Sequence, residues 1–404
     1  MNKLSELARS AQTVSAIIII ASAMSIPVQG QNVTSIYGFP GYNFGAGGLV
    51  ADSAGNLYGT TELGSTGNCI YGDQCGTVFE LSPTTSGWNA TTIYNFTGTN
   101  DGASPSTGLV FDRKGNLYGA TPTTIYQLSR ASGGNWTETT LYTFTGQSDG
   151  AFPTGPLAVD AAGNVYGTTQ YGGSFAGSCS SGCGIAFKLS PSADGTWTET
   201  VLHTFSGGSD GAYPVGGVIL AGKNLYGATA EGGTLSQCNA VGCGVVFELT
   251  SSSQGWKEFV LHSFSGGLDG SDPFGTLAAD SAGNLFGNTR SVAFELIKSS
   301  GKWHEKVLHQ FKADAVGTPA GGVVLDAAGN IFGESDSAYC NSFISACGVV
   351  YELSNSSSGW SVSAHYRFGD NPSGDLLLDA AGHIFGISNG PSETGVSDAF
   401  EITP

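Results

Sequence analysis

The chain contains 404 residues, of which 63 are glycine, 40% are hydrophobic and 11% are charged, and its formal net charge is −18 at pH 7. The apolar and aromatic content is sufficient for an ordered core, so the many glycines indicate a turn-rich β protein rather than a disordered chain. The negative charge argues against a nucleic-acid-binding protein, because the phosphate backbone would be repelled.

Residues 1–30 have the pattern of an export signal. Lys3 and Arg9 precede an apolar segment at residues 14–24, which is about ten residues long and therefore short for a membrane span. Small residues around Ala23 and Gly30 offer cleavage sites. A retained membrane anchor is the alternative. We expect residues 31–404 to form one secreted domain, extracellular or periplasmic, with no further membrane span.

One hairpin signature, Asp-x-x-Gly-Asn-Leu-Tyr-Gly or a close variant, returns seven times along the chain. The copies lie at residues 52–59, 112–119, 160–167, 221–227, 280–287, 326–333 and 379–386. Their Asn positions, His383 in the last copy, are 46 to 60 residues apart. The chain is therefore a tandem array of similar units.

Each repeat predicts four short strands. An apolar run precedes the Asp, the Asp-x-x-Gly segment has the residues of a tight turn, and the second strand follows the Asn. The third strand resembles Val-Phe-Glu-Leu, and the fourth begins at a Trp and ends with Leu-Tyr/His-x-Phe. Alternating β-branched and aromatic residues favour strands, and the chain after the signal has no convincing helical period.

The two ends of the array predict a closed ring. The seventh repeat stops after its third strand, at Ile402, whereas residues 36–39 read Ile-Tyr-Gly-Phe, which is the ending of a fourth strand. An N-terminal strand that completes the last unit removes the open seam between the first and last sheets. We therefore predict an all-β fold, a seven-bladed β-propeller of four-stranded antiparallel blades. A parallel β-helix would need a period nearer about 20 residues.

The eight cysteines form four close pairs at the same point of their repeats. The pairs are Cys69 with Cys75, Cys179 with Cys183, Cys238 with Cys243, and Cys340 with Cys347. We predict a disulfide within each pair, which implies an oxidising compartment outside the cytoplasm. Metal binding is the alternative, but it would need a nearby His or a second Cys pair.

The tryptophans and three of the histidines each recur at one position of the repeat. Packing between strands explains both rows better than a functional site does. All six tryptophans begin a fourth strand; sugar-stacking platforms are the alternative to packing between units. His203, His262 and His309 match a three-ligand metal set in number, yet each occupies the Tyr position of its Leu-Tyr-x-Phe strand. We therefore expect packing, with no metal and no cofactor. His304, His365 and His383 have no evident partner in the sequence.

Strand connections alternate between the two faces of a propeller. The Asp-x-x-Gly turns and the loops before each Trp share one face, which we call the turn face. The loops between the second and third strands, which hold the cysteines, share the other face with the Asp-Gly-x-x-Pro links between repeats, and we call it the link face. Length variation and extra aromatic residues concentrate on the link face, where function is expected on a rigid frame.

We predict ligand contacts on the link face at residues that break the repeat. These candidates are Glu62, Tyr71, Tyr171, Glu231, Arg290, Glu334, Asp336 and Tyr339. Ordinary loop decoration is the alternative for each. The links themselves offer oxygen ligands for Ca²⁺, but an Asp that closes a turn before Gly is the commoner reason for such a pattern.

The repeat resembles a known family. Asp-x-Ala-Gly-Asn-Leu-Tyr-Gly-Thr-Thr, then Cys-Gly-x-Val-Phe-Glu-Leu, then Trp followed by Leu-Tyr-x-Phe and Asp-Gly-x-x-Pro is similar to the GloVer-type tandem repeat of secreted bacterial proteins, over residues 33–404. The resemblance implies a propeller at or beyond the cell surface, without catalytic residues to assign. The hairpin is also similar to that of NHL-type propellers, which include both binders and lyases.

Function is constrained less than fold. The chain has no Gly-x-Ser-x-Gly elbow between a strand and a helix, and no His-Glu-x-x-His motif. We expect a non-catalytic, monomeric binding or surface-associated module for a glycan or an extracellular protein. An extracytoplasmic polysaccharide lyase or hydrolase is the second hypothesis, and a matrix component the third. Clustered carboxylates in a pocket at the axis would favour the enzyme, and a shallow aromatic face would favour binding.

Overall fold

A computed structural model describes residues 32–39, 45–64, 69, 75–175, 179–234, 238–311, 316–336, 348–357, 359–367, 371–389 and 397–403. These residues form seven four-stranded antiparallel sheets. The predicted signal segment, as well as Tyr71, Tyr339, Cys340 and Cys347, lie outside the described residues. Within them, no helix has the length and apolarity needed to span a bilayer.

The strands follow one another blade by blade. Strand β1 (Asn32–Phe39) belongs to the last blade. Blade 1 contains β2 (Gly45–Ala51), β3 (Leu57–Thr61), β4 (Thr77–Thr84) and β5 (Gly87–Asn95). Blade 2 contains β6 (Val110–Phe111), β7 (Leu117–Ala120), β8 (Thr124–Arg130) and β9 (Trp136–Thr143). Blade 3 contains β10 (Ala151–Val159), β11 (Val165–Tyr171), β12 (Ile185–Pro191) and β13 (Trp197–Thr204).

The second half of the chain repeats this pattern. Blade 4 contains β14 (Ala212–Ala221), β15 (Asn224–Glu231), β16 (Val245–Ser252) and β17 (Gly255–Ser263), with a short 3₁₀ turn at Cys238–Ala240. Blade 5 contains β18 (Phe274–Ala279), β19 (Leu285–Asn288), β20 (Val292–Ser299) and β21 (Lys302–Gln310). Blade 6 contains β22 (Thr318–Leu325), β23 (Ile331–Asp336), β24 (Gly348–Ser356) and β25 (Gly359–Arg367). Blade 7 contains β26 (Asn371–Leu378), β27 (Ile384–Asn389) and β28 (Ser397–Thr403).

The ring closes as the sequence predicts. β1 pairs antiparallel with β28, so that Val33 lies opposite Ile402 and Phe39 opposite Ser397, and it completes blade 7 as the fourth strand. The first strands of the blades face the axis, where β26 of blade 7 contacts β2 of blade 1. No blade therefore has an unpaired neighbour at the seam, which removes the exposed edges of an open array.

The core lies between neighbouring blades. At the ends of the described fourth strands, a Phe packs on the aromatic residue of the next blade's third strand, as Phe144 does on Phe187 at a centroid distance of 5.3 Å. The seam uses the same contact, because Phe39 packs on Phe79 at 4.9 Å. Such edge-on or tilted aromatic pairs bury large apolar surfaces in a fixed geometry.

The tryptophans also pack between blades, which confirms the structural interpretation of their row. Trp197 of blade 3 lies 6.4 Å from the ring of Tyr118 in blade 2, and Trp256 of blade 4 lies 6.1 Å from Tyr166 in blade 3. Trp88 of blade 1 contacts Phe385 of blade 7 in the same way, at 6.2 Å. Because these rings pack against neighbouring blades, they do not form a row of platforms for sugar stacking.

Candidate functional site

The Asp that opens each link is satisfied by its own turn. Asp149 accepts hydrogen bonds from the backbone N–H and hydroxyl of Thr145, at 2.7 and 2.6 Å, and from the Tyr142 hydroxyl at 3.2 Å. Burial acts to raise the pKa of Asp149, but these bonds outweigh it and lower the pKa below its usual value. The carboxylate is thus occupied as a turn acceptor, which favours the turn interpretation over a calcium site.

His203 and His262 replace that Tyr in blades 3 and 4. His203 Nε2 lies 3.2 Å from Asp210 Oδ2, and its ring stacks edge-on against Phe205 at 4.8 Å. His262 makes the same edge-on contact with Phe264 at 4.6 Å. The histidines are packing residues on separate blades. Among the described residues, no group of three or more His, Cys, Asp or Glu side chains is placed to hold a metal ion.

Two of the histidines without an evident partner in the sequence do have one in the fold. His365 is buried and pairs with Glu352 across strands β24 and β25. His383 Nδ1 lies 3.3 Å from Asp379 and 3.2 Å from Glu401. All three partners are repeat residues, so these histidines belong to the frame rather than to a separate site.

Three of the four predicted disulfides lie in the described residues and are formed. They join Cys69 to Cys75, Cys179 to Cys183, and Cys238 to Cys243, with Cα–Cα distances of 5.4, 5.1 and 5.3 Å. The second cysteine of each pair is fully buried. A closed loop of this size contributes about 2 kcal/mol through chain entropy, so its larger effect is to fix the loop's shape.

Each of these loops clasps the link of the next blade. The N–H of Tyr213 donates to the carbonyl of Cys183 at 2.9 Å, and a Cβ added to Gly184 would lie 2.6 Å from Pro214 Cδ. We call this contact of a Cys-Gly corner with an x-Pro segment the clasp. The same clasp joins Cys75 to Ser104 at 2.7 Å and Cys243 to Asp272 at 2.9 Å.

Blade 2 has no cysteine, yet its loop makes an equivalent contact. The N–H of Phe152 donates to the carbonyl of Pro122 at 3.2 Å. The four link residues held in this way are the presenting residues: Ser104, Phe152, Tyr213 and Asp272. All four have a left-handed backbone, with φ of 53°, 55°, 54° and 50°. Such φ values are rare outside glycine, and for a bulky residue before Pro they require support from the surroundings.

The left-handed backbone presents aromatic side chains on the link face. The Phe152 ring is 49% exposed and lies 5.7 Å from Tyr171, which in turn lies 5.9 Å from Tyr213. Phe175 and Leu268 are also exposed, in the neighbouring loop of blade 3 and the link after blade 4. Three of the five exposed large apolar side chains of the described residues, Phe152 among them, therefore lie on this face.

Acidic side chains border the aromatic cluster. Burial raises the pKa of Glu231, and the charge of Asp272 adds to the effect. Burial, followed by the charges of Glu231 and Tyr171, raises the pKa of Tyr213. Arg290 Nε lies 3.1 Å from Asp272 Oδ2 in an exposed ion pair. The surroundings of the rings are therefore polar and mainly negative.

A second concave region lies at the axis. Seven equivalent first-strand residues, one from each blade, line a cavity of about 270 Å³ on the link side: Gly47, Thr107, Gly155, Gly216, Gly275, Gly321 and Gly374. At six of the seven positions the residue is glycine, and the backbones meet closely there; a Cβ on Gly216 would lie 2.0 Å from the carbonyl oxygen of Gly275. An apolar cavity of about 510 Å³ lies toward the turn face, between the first strands of blades 4 to 7.

Asp375 and Thr276 line both axial cavities. Asp375 accepts hydrogen bonds from the Thr276 hydroxyl at 2.5 Å and the Gly322 N–H at 2.9 Å, so it ties blades 5, 6 and 7 together. Burial raises its pKa despite these bonds. Other repeats have Gly, Pro or Thr at this position, which was the signal in the sequence that could have found it.

Glu334 is buried behind the glycine ring. Both of its carboxylate oxygens lack a hydrogen-bond partner in the described residues, and Oε2 would lie 3.6 Å from a Cβ on Gly321. Burial, then the charges of Asp375 and Asp336, raises its pKa well above the usual value. The protonated form of Glu334 is therefore favoured by its surroundings, and Glu334 does not line either cavity itself.

The predicted site residues fall into three groups. Tyr171, Glu231 and Arg290 lie together on the link face between blades 3 and 5, and Glu62 lines the mouth of the axial cavity. Glu334 is buried and Asp336 is exposed at the end of β23. Tyr71 and Tyr339 lie outside the described residues. Sequence reasoning missed the presenting residues, although they vary within an otherwise repeated Asp-Gly-x-x-Pro link.

Comparison with solved structures supports the fold. Virginiamycin B lyase from Staphylococcus aureus superposes with a TM-score of 0.58 at 13% identity, covering 93% of this chain and 99% of that one. The structure of YCF48 bound to D1 peptide superposes with a TM-score of 0.53 at 10% sequence identity, and the match covers 94% of this chain and 97% of that one. The extracellular domain of BT4673 from B. thetaiotaomicron superposes with a TM-score of 0.53 at 11% sequence identity, and the match covers 90% of this chain and 40% of that one. At these identities the similarity establishes the fold alone.

Comparison with sequences identifies the family. A search of curated proteins found no match. A sequence profile described as the Gloeobacter/Verrucomicrobia repeat matches residues 22–236 and 123–293, which together span more than half of the chain. These matches include the first five of the seven hairpin copies and all three described disulfide loops. The chain therefore belongs to the Gloeobacter/Verrucomicrobia repeat family.

Proposed function

We propose that this protein is a secreted, non-catalytic binding module that takes a glycan on its link face. The observation that carries the proposal is the row formed by Phe152, Tyr171 and Tyr213, in which the exposed ring of Phe152 adjoins two partly buried tyrosines on a disulfide-stiffened frame. Rigid aromatic rings offer a large contact area at a small cost in side-chain entropy, which suits the apolar faces of sugar rings.

The charges around the rings specify the kind of glycan. Glu231 and Asp272 border the cluster, Glu62 lies at the nearby axial mouth, and the whole chain carries a formal net charge of −18. A polyanionic glycan would be repelled, whereas hydroxyl groups can donate to carboxylates and an amino group would be attracted. A neutral or amino-bearing polysaccharide therefore fits this face best.

The disulfides support an extracytoplasmic location, because such bonds persist in oxidising compartments. Export through residues 1–30 completes the proposal. We expect the secreted domain to act as a monomer, because the ring pairs every blade with its two neighbours and leaves no open sheet edge at the seam.

Affinity electrophoresis of the mature protein tests the proposal. The gels contain xyloglucan as a neutral polysaccharide, glycol chitosan as an amino-bearing one, and polygalacturonate as an anionic one. We expect retardation by at least one of the first two, and roughly tenfold weaker binding for each ring removed in Phe152→Ala and Tyr213→Ala. Phe259→Ala, an exposed ring on the outer strand β17, is the matched control and should bind normally.

Two results would overturn glycan binding. One is an absence of retardation in all three gels, which would leave an extracellular protein as the ligand class to pursue. The other is retardation that survives in the Phe152→Ala, Tyr213→Ala double variant, because the contact would then lie elsewhere on the molecule.

A polysaccharide lyase or hydrolase is the second candidate, favoured by Asp375 in the wall of the axial cavities. Burial raises the pKa of Asp375, which is the direction that a general acid requires, and burial also raises the pKa of the neighbouring Glu334. Incubation with the same polysaccharides, followed by assays for new reducing ends and for unsaturated uronides, tests this candidate. Turnover that is lost in Asp375→Asn would support it, and absence of both products would exclude it for these substrates.

A further inference from the structure

We propose that the presenting residues Ser104, Phe152, Tyr213 and Asp272 determine which sugar units the link face accepts, and that the disulfide loops position three of them. This inference rests on the proposed glycan-binding function. Beyond that function, we assign ligand selectivity to the presenting residues and their positioning to the disulfide loops.

The geometry of the four residues is the same in four successive links. Each has φ between 50° and 55°, each precedes a proline, and each donates its N–H to a carbonyl in the loop of the preceding blade. The left-handed region is unfavourable for a residue other than glycine, so the contacts of the clasp must offset this cost. A strained backbone kept in four copies fixes the direction of the side chain that leaves it.

The chemistry of the four residues differs while their setting stays constant. The preceding Asp-Gly and the following Pro are repeated, whereas the presented group is a hydroxyl, a phenyl ring, a phenol or a carboxylate. The variable group is thus confined to one position of a fixed link. Fixed backbone geometry with varied side chains is the arrangement by which a repeat frame sets specificity.

The disulfides hold the acceptor of the clasp. Cys75, Cys183 and Cys243 provide the carbonyls for Ser104, Tyr213 and Asp272, and each is tied to a second cysteine four to six residues earlier. Without the bond, the loop gains freedom, and its carbonyl no longer opposes relaxation of the strained link. Phe152 uses the carbonyl of Pro122 in a loop without cysteines, so it provides an internal control.

Hydrogen exchange tests the positioning role without any ligand. In the double variant Cys179→Ala, Cys183→Ala, we expect the Tyr213 amide to exchange at least about tenfold faster, while the Phe152 amide keeps its rate. If this variant does not fold, dithiothreitol reduction of the unchanged protein gives the same comparison, with far-ultraviolet circular dichroism to verify that the propeller persists. Unchanged exchange at Tyr213 would overturn the positioning role.

An exchange of two presenting residues tests specificity. The double variant Tyr213→Asp, Asp272→Tyr keeps composition and net charge constant and alters only the order of groups around the ring. We expect the ratio of affinities for xyloglucan and glycol chitosan to change by roughly tenfold. An unchanged ratio in a variant that still binds would overturn the specificity role alone. Absence of binding by the unaltered protein would instead overturn the proposed function, and the specificity role with it.

Discussion

The two faces of the propeller derive from one repeat, and an Asp closes the turn on each face, but the residues beside that turn differ in how much they vary. On the turn face, Asp160 Oδ1 accepts from the N–H groups of Ala162 and Asn164, and Oδ2 from the Asn164 amide and the Tyr166 hydroxyl. Asp52 and Asp112 make the same four contacts in their own turns. Because each Asp side chain makes all of these hydrogen bonds within its own turn, the residues of the turn face are nearly the same in every repeat.

On the link face an Asp also closes the turn. The presenting residue, three positions after that Asp, directs its side chain toward the link face. At that position Phe152 is exposed and Tyr213 is partly buried, and the residue differs from one link to the next. Repetition therefore marks the positions where side chains are needed for folding, and variation marks positions that folding constrains less.

The largest difference in stability between the two faces should come from alanine substitutions at two matched glycines, one on each face. Gly184 in the clasp has φ +89°, and a Cβ there would lie 2.3 Å from the Thr169 carbonyl oxygen. Gly163 in the Asp160 turn has φ +83° with open space around it. We expect Gly184→Ala to lower the free energy of unfolding by about 3 kcal/mol, through clash and strain, and Gly163→Ala by about 1 kcal/mol, through strain alone. Chemical denaturation of both variants measures the difference; equal losses would show that the clasp is not tightly packed.

A smaller effect is expected from the turn-face carboxylate. Asp160→Ala removes four acceptor contacts in a partly exposed turn and should cost about 2 kcal/mol of unfolding free energy. Polysaccharide affinity should stay unchanged, because the turn lies on the opposite face from Phe152. Asp194→Ala, in an exposed hairpin where only Thr196 is bonded, is the control and should cost less. A loss of affinity in Asp160→Ala would show that the two faces are coupled.

The sequence alone was sufficient to predict the ring. Seven hairpin copies, the incomplete seventh repeat and the strand at residues 36–39 predicted seven blades and a seam closed by β1 and β28, and both are confirmed. The disulfides were predictable because both cysteines of a pair lie in one short loop. The His positions were predictable because they replace a Tyr in a repeated strand.

The site was harder to predict because it depends on relations between blades. The clasp joins Cys183 to Tyr213, thirty residues apart in sequence, and the left-handed backbone of the link follows from that contact rather than from a local glycine. Glu334 broke the repeat and was noticed, but only the fold shows that it is buried behind the ring instead of facing a ligand. Asp375 was missed because a single Asp beside a glycine carries no motif.

The pH dependence of stability should separate the turns from the blade contacts. Burial, followed by the charge of a neighbouring link Asp, raises the pKa of Glu199 and of Glu305 to about 7 from an unfolded value of 4.5. The folded state therefore favours their protonated form, and stability is lost as pH rises from 4.5 toward 7. For Asp160, burial acts to raise the pKa, but hydrogen bonds from Asn164, Tyr166 and Ala162 lower it below 3.8. Its contribution is present above pH 3.8 and is lost as pH falls through the folded pKa.

Unfolding free energy should consequently be greatest at about pH 4 to 5. Denaturant titrations across pH check this maximum. The double variant Glu199→Gln, Glu305→Gln should flatten the decline toward neutral pH, and Asp160→Asn should flatten only the acid side. A neutral-side decline that persists in the double variant would assign the effect to other groups.

The smallest effect on stability is expected from Arg290, the one cation beside the aromatic cluster in the described part of the link face. Its ion pair with Asp272 is exposed, so Arg290→Gln should change the unfolding free energy by less than about 1 kcal/mol. Binding should respond more than stability, because the substitution leaves Asp272 without its counter-charge. We expect glycol chitosan to bind roughly threefold more tightly at low ionic strength, and the gain to vanish at high salt. Xyloglucan, which is uncharged, should bind unchanged. A loss of stability clearly above 1 kcal/mol would mean instead that the ion pair supports the Asp272 clasp, and that this part of the link face belongs to the frame.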